Sequence, residues 1–294
     1  MEAIDTEFFK KFGFDYITTI GEGTFGVIFV VYSHQYNMNF AIKRIPGSKF
    51  NDMEIESMIE IKSNYIVPLY NHFHYNNYVY LLMEYCPHSL ETYIQQYHPL
   101  TFTKKLELCQ GLAVAVGSCH HFGISHGDIK PSNFLVDKYG RIKICDFGLA
   151  NKVISDENST NFHGTAMFLS PEIIRKLPYD AFCSDIWALG VTIYYVLTGK
   201  YPWMADTKAN LVQSILNSIY DESAINDFEI KQMLKKCFNI DPPSRPTAQE
   251  IIAVFHAKSQ SAPKKGIKSS QSVHLASQIL LSPALKSKRR ISFN

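Results

Sequence analysis

With 294 residues, 46% of them hydrophobic and 19% charged, the chain has an ordinary globular balance, with room for one or two domains and a substantial core. Its net charge of +2 is uneven: residues 258–294 carry eight Lys/Arg and no Asp/Glu, leaving 21 basic against 27 acidic residues in 1–257. A mildly acidic body argues against a general nucleic-acid binder, whose footprint is a basic face. Six scattered cysteines without a C-x-x-C pair read as buried thiols rather than a disulfide or zinc framework. No apolar run is read as approaching the length of a membrane span, and MEAIDTEFFKKF at the start is acidic and amphipathic, unlike a signal segment. The expectation is a soluble protein of a reducing compartment, cytoplasmic or nuclear, with no membrane or direct nucleic-acid partner.

In chain order, residues 14–45 alternate and are rich in β-branched and aromatic residues, so FDYITTI, VIFVVY and FAIKRI read as three strands. Between the first two lies Gly21-Glu22-Gly23-Thr24-Phe25-Gly26. A dinucleotide-binding fingerprint would need a helix directly after these glycines, but Val27 to Tyr32 are strand formers, so that reading fails. On residues alone the loop is either an ordinary Gly-rich hairpin or a flap whose backbone approaches phosphates closely. Lys43 ends an apolar strand, and alone could be a solvated edge charge. Asp52 to Lys62 reads as a helix and Val79 to Met83 as a buried strand leaving into the connector Glu84-Tyr85-Cys86-Pro87. Leu90 to Tyr97 and Phe102 to His121 read as helices. Phe134 to Val136 and Ile142 to Cys145 flank the turn Lys138-Tyr139-Gly140 as a short hairpin. At its ends Asp128, Asn133 and Asp146 offer oxygen donors that suit a divalent cation such as Mg²⁺. Asp185 opens an apolar helix through Leu197, and residues 259–294 are a basic, Ser-rich tail that reads as disordered.

The stretch His126 to Gly148, HGDIKPSNFLVDKYGRIKICDFG, resembles the catalytic loop, hairpin and metal-binding DFG of the protein kinases, with His126-Gly127-Asp128 in place of His-Arg-Asp. The glycine flap, FAIK ending at Lys43, Ser170-Pro171-Glu172 and Asp241-Pro242-Pro243-Ser244-Arg245-Pro246 extend that resemblance in the family's order. It implies an α+β, bilobal fold: an extension 1–13, a β-rich N-lobe 14–84 with one helix, a mainly helical C-lobe 87–258, then the tail. It implies ATP and Mg²⁺ as cofactors. Gly21, Glu22, Gly23, Thr24, Phe25, Gly26 and Val27 would line the nucleotide. Ile28, Ala41 and Leu135 would sandwich the adenine beside the gatekeeper Met83 and the hinge residues Glu84 and Cys86. Lys43 would hold the α/β-phosphates, paired with Glu54 rather than Glu56 or Glu60. Asp128 would be the proton acceptor, Lys130 would stabilise the γ-phosphate, and Asn133 and Asp146 would ligate metal. Further implied are a structural His126 packed with Phe147, Met58 and Leu69, an Asp185 brace for the catalytic loop, and an Arg245–Glu172 pair.

Lys130-Pro131-Ser132-Asn133 looks like the serine/threonine class, so the expected function is phosphoryl transfer to Ser/Thr of protein substrates. The alternative is a pseudokinase that binds nucleotide or partners without chemistry; retention of Lys43, Glu54, Asp128, Asn133 and Asp146 favours the enzyme. Small-molecule phosphotransferases of this fold generally lack the flap and the Ser170-Pro171-Glu172/Arg245 segment. Ser155, Ser159, Thr160 and Thr165 lie in the segment between Asp146 and Glu172. Glycine at 127 cannot bind a phosphate on that segment, so phosphorylation there is not expected to be the main switch. In the tail, Ala276 to Leu285 reads as a short helix. Lys286 to Phe293 reads as a solvated basic end, a nuclear-import patch or a phosphosite at Ser292, and the tail is where a regulatory partner would bind.

Overall fold

The computed structural model describes residues 1–23, 26–50, 52–149 and 166–261, without the side chains of Met53, Glu54, Ser57 and Ser261. The expected sites at Thr24, Phe25, Ser155, Ser159, Thr160, Thr165 and the tail features at 276–285 and 286–293 lie outside the described residues. The α+β, two-lobed architecture is observed. In chain order it comprises α1 (Ala3–Phe12), β1 (Phe14–Gly23), β2 (Gly26–Ser33), β3 (Met38–Pro46), α2 (Asp52–Glu60), β4 (Leu69–Tyr75) and β5 (Tyr78–Glu84). These are followed by β6 (His88–Ser89), α3 (Leu90–Gln96), α4 (Phe102–His121), β7 (Phe134–Val136) and β8 (Ile142–Ile144). The remainder is helical: α5 (Pro171–Ile174), α6 (Ala181–Thr198), α7 (Lys208–Leu216), α8 (Phe228–Cys237) and α9 (Ala248–Ser261).

The three strands expected in residues 14–45 and the one at 79–83 join β4, which the sequence did not signal, in a five-stranded antiparallel sheet of order β1-β2-β3-β5-β4. Asn76 and Asn77, both with positive φ (44° and 63°), make the tight turn that joins β4 to β5, a conformation asparagine tolerates better than most residues. Because side chains alternate across a strand, β3 feeds two cores. Ile45 joins a cluster running through Met58, Ile61 and Ile66 into the C-lobe, whereas Phe40 and Ile42 face the other way, with Phe29, Tyr80 and Leu82. That outer core is closed by α1, which the sequence marked only as an amphipathic extension. Phe8 and Phe9 bury their rings there, Phe8 stacking on Tyr80 with centroids 3.8 Å apart. Full burial of a phenylalanine contributes about 1.5–3 kcal/mol. Gly13, at φ 71°, terminates α1 in the left-handed conformation that suits glycine.

In the C-lobe, α4 lies against α6, α9 and β8. A Cβ at Gly111 would come within 2.9 Å of Ile142 Cβ, so glycine is what lets the β7–β8 hairpin rest directly on α4. The helix read from Asp185 begins earlier, at Ala181. Asp180 caps it, accepting from the backbone N–H groups of Phe182 (2.8 Å) and Cys183 (3.3 Å), and Asp185 sits inside the first turns. The expectation about apolar runs also needs correction: these 18 residues are long and apolar enough to cross a membrane. Most of them are buried inside the lobe, and a helix that is apolar all round suits such a core position. The cysteines are free thiols, as read; burial pushes Cys86 and Cys237 up to about 12, which keeps them protonated.

Arg245 ties the end of the lobe to its middle. Its guanidinium donates two 2.7 Å bonds to Glu172, one of 3.1 Å to Cys183 O and one of 2.9 Å to Asn239 O. It also lies over the Trp187 ring at 5.0 Å. Burial would raise the Glu172 carboxyl, but Arg245 outweighs it and holds the group below its ordinary 4.5. Arg245→Met should cost about 3–5 kcal/mol in denaturant unfolding, because it strands a buried carboxylate. A depressed folded-state value means the stabilisation is present above the unfolded value and lost as pH falls through the folded one. The stability gap between wild type and Glu172→Gln should therefore be constant above about pH 5.5 and shrink through the acid range. A gap independent of pH would contradict the pairing.

Candidate active site

Between the lobes, β3 and the turn following β8 bring opposite charges together. Lys43 points from β3 away from the outer core, and its Nζ lies 2.8 Å from Asp146 Oδ1. Asp146 follows β8 with φ 68°, a left-handed conformation that Asp adopts more readily than most residues. Burial would push the Asp146 carboxyl up. The Lys43 ammonium, through its charge and hydrogen bond, outweighs burial and holds it below the usual carboxylate range. Asp146 is thus an anion at neutral pH, with an oxygen other than Oδ1 directed away from that bond.

Asp128 stands in the loop between α4 and β7, where Lys130 Nζ lies 2.7 Å from its Oδ2. The Asn133 carboxamide donates to Asp128 O and Oδ2, each at 2.8 Å, which fixes its Nδ2 and turns its oxygen to the other side. Cys145 N in turn donates to Asn133 O at 3.0 Å, joining this loop to the residue before Asp146. One carboxylate and one carboxamide oxygen are hard donors that fit a Mg²⁺ ion sharing its shell with phosphate oxygens and water. They do not make a self-sufficient metal cage, and the described residues hold no group of three His/Cys/Asp/Glu that could.

The loop is held from behind. Asp185 accepts from the backbone N–H of His126 at 2.7 Å and of Gly127 at 2.9 Å, with His120 Nε2 3.1 Å from the same carboxylate. His126 is fully buried against Phe147, ring centroids 5.0 Å apart. Its Nε2 donates to Cys145 O (3.0 Å) and its Nδ1 accepts from Asp128 N (3.3 Å), so neither nitrogen is left for a substrate proton. Gly127 has φ 74°, and a Cβ there would meet Leu149 O at 2.9 Å.

The apolar residues expected around a nucleotide lie on β2, β3, β5 and β7. Ala41 pairs with Met83 across β3 and β5, and both are buried. Ile28 pairs with Lys43 across β2 and β3, and Leu135 lies on β7, half-buried. Gly21, Glu22 and Gly23 end β1, and Gly23 pairs with Gly26 where Val27 resumes the hairpin. The side chain of Glu84 turns to a 2.9 Å ion pair with Lys143, a partnership the sequence did not signal, and its backbone N–H donates to Pro68 O at 3.2 Å, beside the buried Cys86. Glu54 lies on α2, but its side chain is outside the described residues, while Glu56 and Glu60 are exposed. Arg44 and Asp5, charged residues 39 apart that carry no local signal in the sequence, are both buried.

Two kinds of likeness to known proteins bear on this cleft. The family model described as protein kinase domain matches residues 14–255. The chain is 32% identical over 241 residues to sperm motility kinase 3A of Mus musculus, covering 80% of this chain and 48% of that protein. It is 32% identical over 241 residues to sperm motility kinase 2B of the same species, covering 80% and 50%. To the probable serine/threonine-protein kinase MARK-A of Dictyostelium discoideum it is 30% identical over 245 residues, covering 80% of this chain and 23% of that protein. The chain thus spans about half the length of the mouse relatives it matches.

Asp185→Ala should leave two backbone N–H groups without their acceptor, at about 1–3 kcal/mol for each that stays buried. Thermal unfolding would show this as a lower midpoint, and an unchanged midpoint would mean that the loop is held otherwise.

Proposed function

This chain belongs to the protein kinase family, and from that premise we propose that it is an active serine/threonine kinase, transferring the γ-phosphate of Mg-ATP to protein hydroxyls. The observation that carries the reading is that Lys43 meets Asp146 at 2.8 Å while Asp128 meets Lys130 and Asn133 at 2.7–2.8 Å, the two sets being joined where Cys145 N donates to Asn133 O at 3.0 Å. Each of these groups has a task in phosphoryl transfer, where positioning and electrostatics dominate. Asp128 accepts the substrate hydroxyl's hydrogen bond and orients its oxygen in line with the γ-phosphate. Lys130, already on Asp128, neutralises charge where the two reactants meet. Lys43 exchanges part of its hold on Asp146 for the α- and β-phosphates. Asp146 and the Asn133 oxygen would hold Mg²⁺, which when bound shields the negative charge of the triphosphate. The Ser/Thr preference is supported by Lys130-Pro131-Ser132-Asn133 and by the likeness to the probable serine/threonine-protein kinase of Dictyostelium discoideum.

Asp146→Ala should abolish phosphorylation of a generic basic protein, and Asp128→Ala should reduce it by about 10²–10⁴-fold. Wild-type rates in purified Asp146→Ala would overturn the assignment. A wild-type protein that binds Mg-ATP and transfers nothing would instead be a nucleotide-binding pseudokinase.

Gly127 supports a second element of the proposal: regulation that does not depend chiefly on phosphorylation between Asp146 and Glu172. A glycine offers no guanidinium to a phosphorylated residue. Phosphatase treatment should therefore leave activity within about twofold, on the scale where tenfold is 1.4 kcal/mol. A large loss reproduced by Ser159→Ala or Thr160→Ala would contradict it.

A further inference from the structure

We propose that Asp5 and Arg44 are positioning residues for nucleotide binding, through which α1 fixes the strand that carries Lys43. The inference rests on the ATP-binding reading above. Arg44 follows Lys43 directly, so strand alternation sends the two side chains to opposite faces of the sheet. On the outer face the guanidinium is held on several sides. Its Nη1 donates to both oxygens of Asp5, at 3.0 and 2.9 Å, and its Nη2 to Glu2 Oε1 at 2.7 Å. It also lies over the Tyr78 ring at 4.6 Å and the Phe29 ring at 5.9 Å. Asp5 is fully buried and its remaining capacity is used within the same cluster, by Tyr80 Oη at 3.1 Å and Glu2 N at 2.9 Å.

The backbone of Arg44 is engaged on its other side by the flap. Val27 pairs with Arg44, and at Gly26 a Cβ would lie only 2.0 Å from Arg44 O. Gly26, with φ 128°, therefore packs its backbone directly on that of Arg44. Residue 44 consequently links three things: the α1 carboxylates through its side chain, the flap through its carbonyl, and Lys43 through the peptide bond. A guanidinium held by a carboxylate and an aromatic face has little rotational freedom, and the freedom it removes belongs to the segment that would contact phosphates.

A buried ion pair is weak evidence for stability alone, since apolar residues of similar volume often replace it without loss. That fact separates positioning from mere bracing. In the full chain, Asp5→Asn should weaken Mg-ATP binding, measured by calorimetry, by about tenfold, while kcat at saturating ATP changes little. Asp5→Leu/Arg44→Met, which removes both charges together, should recover the thermal midpoint but keep the weakened ATP affinity. Arg44→Lys, which keeps the charge but loses the fork, should fall between, and these two variants carry the test if Asp5→Asn does not fold. ATP affinity that returns to the wild-type value together with the midpoint, or never leaves it, overturns the proposal. A wild-type chain that binds no Mg-ATP overturns the functional reading itself, an outcome distinct from variants that bind as wild type does.

Discussion

One carboxylate, that of Asp185, links the most apolar of the described helices to the loop that bears the polar chemistry. Helix α6 is buried because it has nowhere else to place an apolar surface on every side. A single acid within it would be costly there unless every oxygen found a donor. The donors are the backbone N–H groups of His126 and Gly127 and the ring of His120. The requirement runs in both directions: the helix needs the loop to satisfy its charge, and the loop needs the helix to hold its shape. Downstream of that grip, Asp128, Lys130 and Asn133 bond to one another, and Asn133 bonds onward to Cys145 beside Asp146. The order of the site thus begins in the core.

The cleft is closed by a second kind of contact. Lys43 reaches Asp146 from the N-lobe, while Val67 N donates to Ile144 O and Ile144 N to Tyr65 O, at 2.9 and 2.8 Å. The backbone contacts tie the residues after α2 to β8, and the charged contact ties β3 to the residues that follow β8. Arg245 has the corresponding role deep in the C-lobe, where it bonds to Glu172, Cys183 and Asn239 at once. Charge-assisted bonds of this kind specify geometry more than they add stability.

Much of this was legible in the sequence, for physical reasons. Alternation with period two gave β1 to β3 and an apolar run gave β5, though not β4, and strand-forming residues after Gly26 separated a flap from a strand-to-helix turn. The spacing from Asp128 to Asp146 placed the polar groups at the ends of a hairpin, and the observed hairpin brings them together. Less legible was anything that depends on a distant partner. Asp5 and Arg44 are charged, and charged residues read as solvated unless something shows that they meet. Glu84 belonged to a connector whose backbone was the expected contributor, and nothing local foretold its turn to Lys143. The start of α6 is also hard to read locally, because Ser184 and Asp185 interrupt the apolar pattern just after the Asp180 cap of this 18-residue helix.

The outer aromatic core beneath α1 has a mechanical consequence. Strands β3 and β5 are packed on both faces, whereas β1 is mostly exposed, so the middle of the sheet is coupled by side chains above and below as well as by the ladder. A doubly packed sheet resists bending, because flexure would open gaps in one core or compress the other, and close-packed interiors accommodate neither cheaply. Motion of this lobe is then better absorbed at its edges, in the connector after β5 and the segment between α2 and β4, than within the sheet. The β3–β5 centre of the lobe would turn over the cleft as a plate rather than fold around its contents.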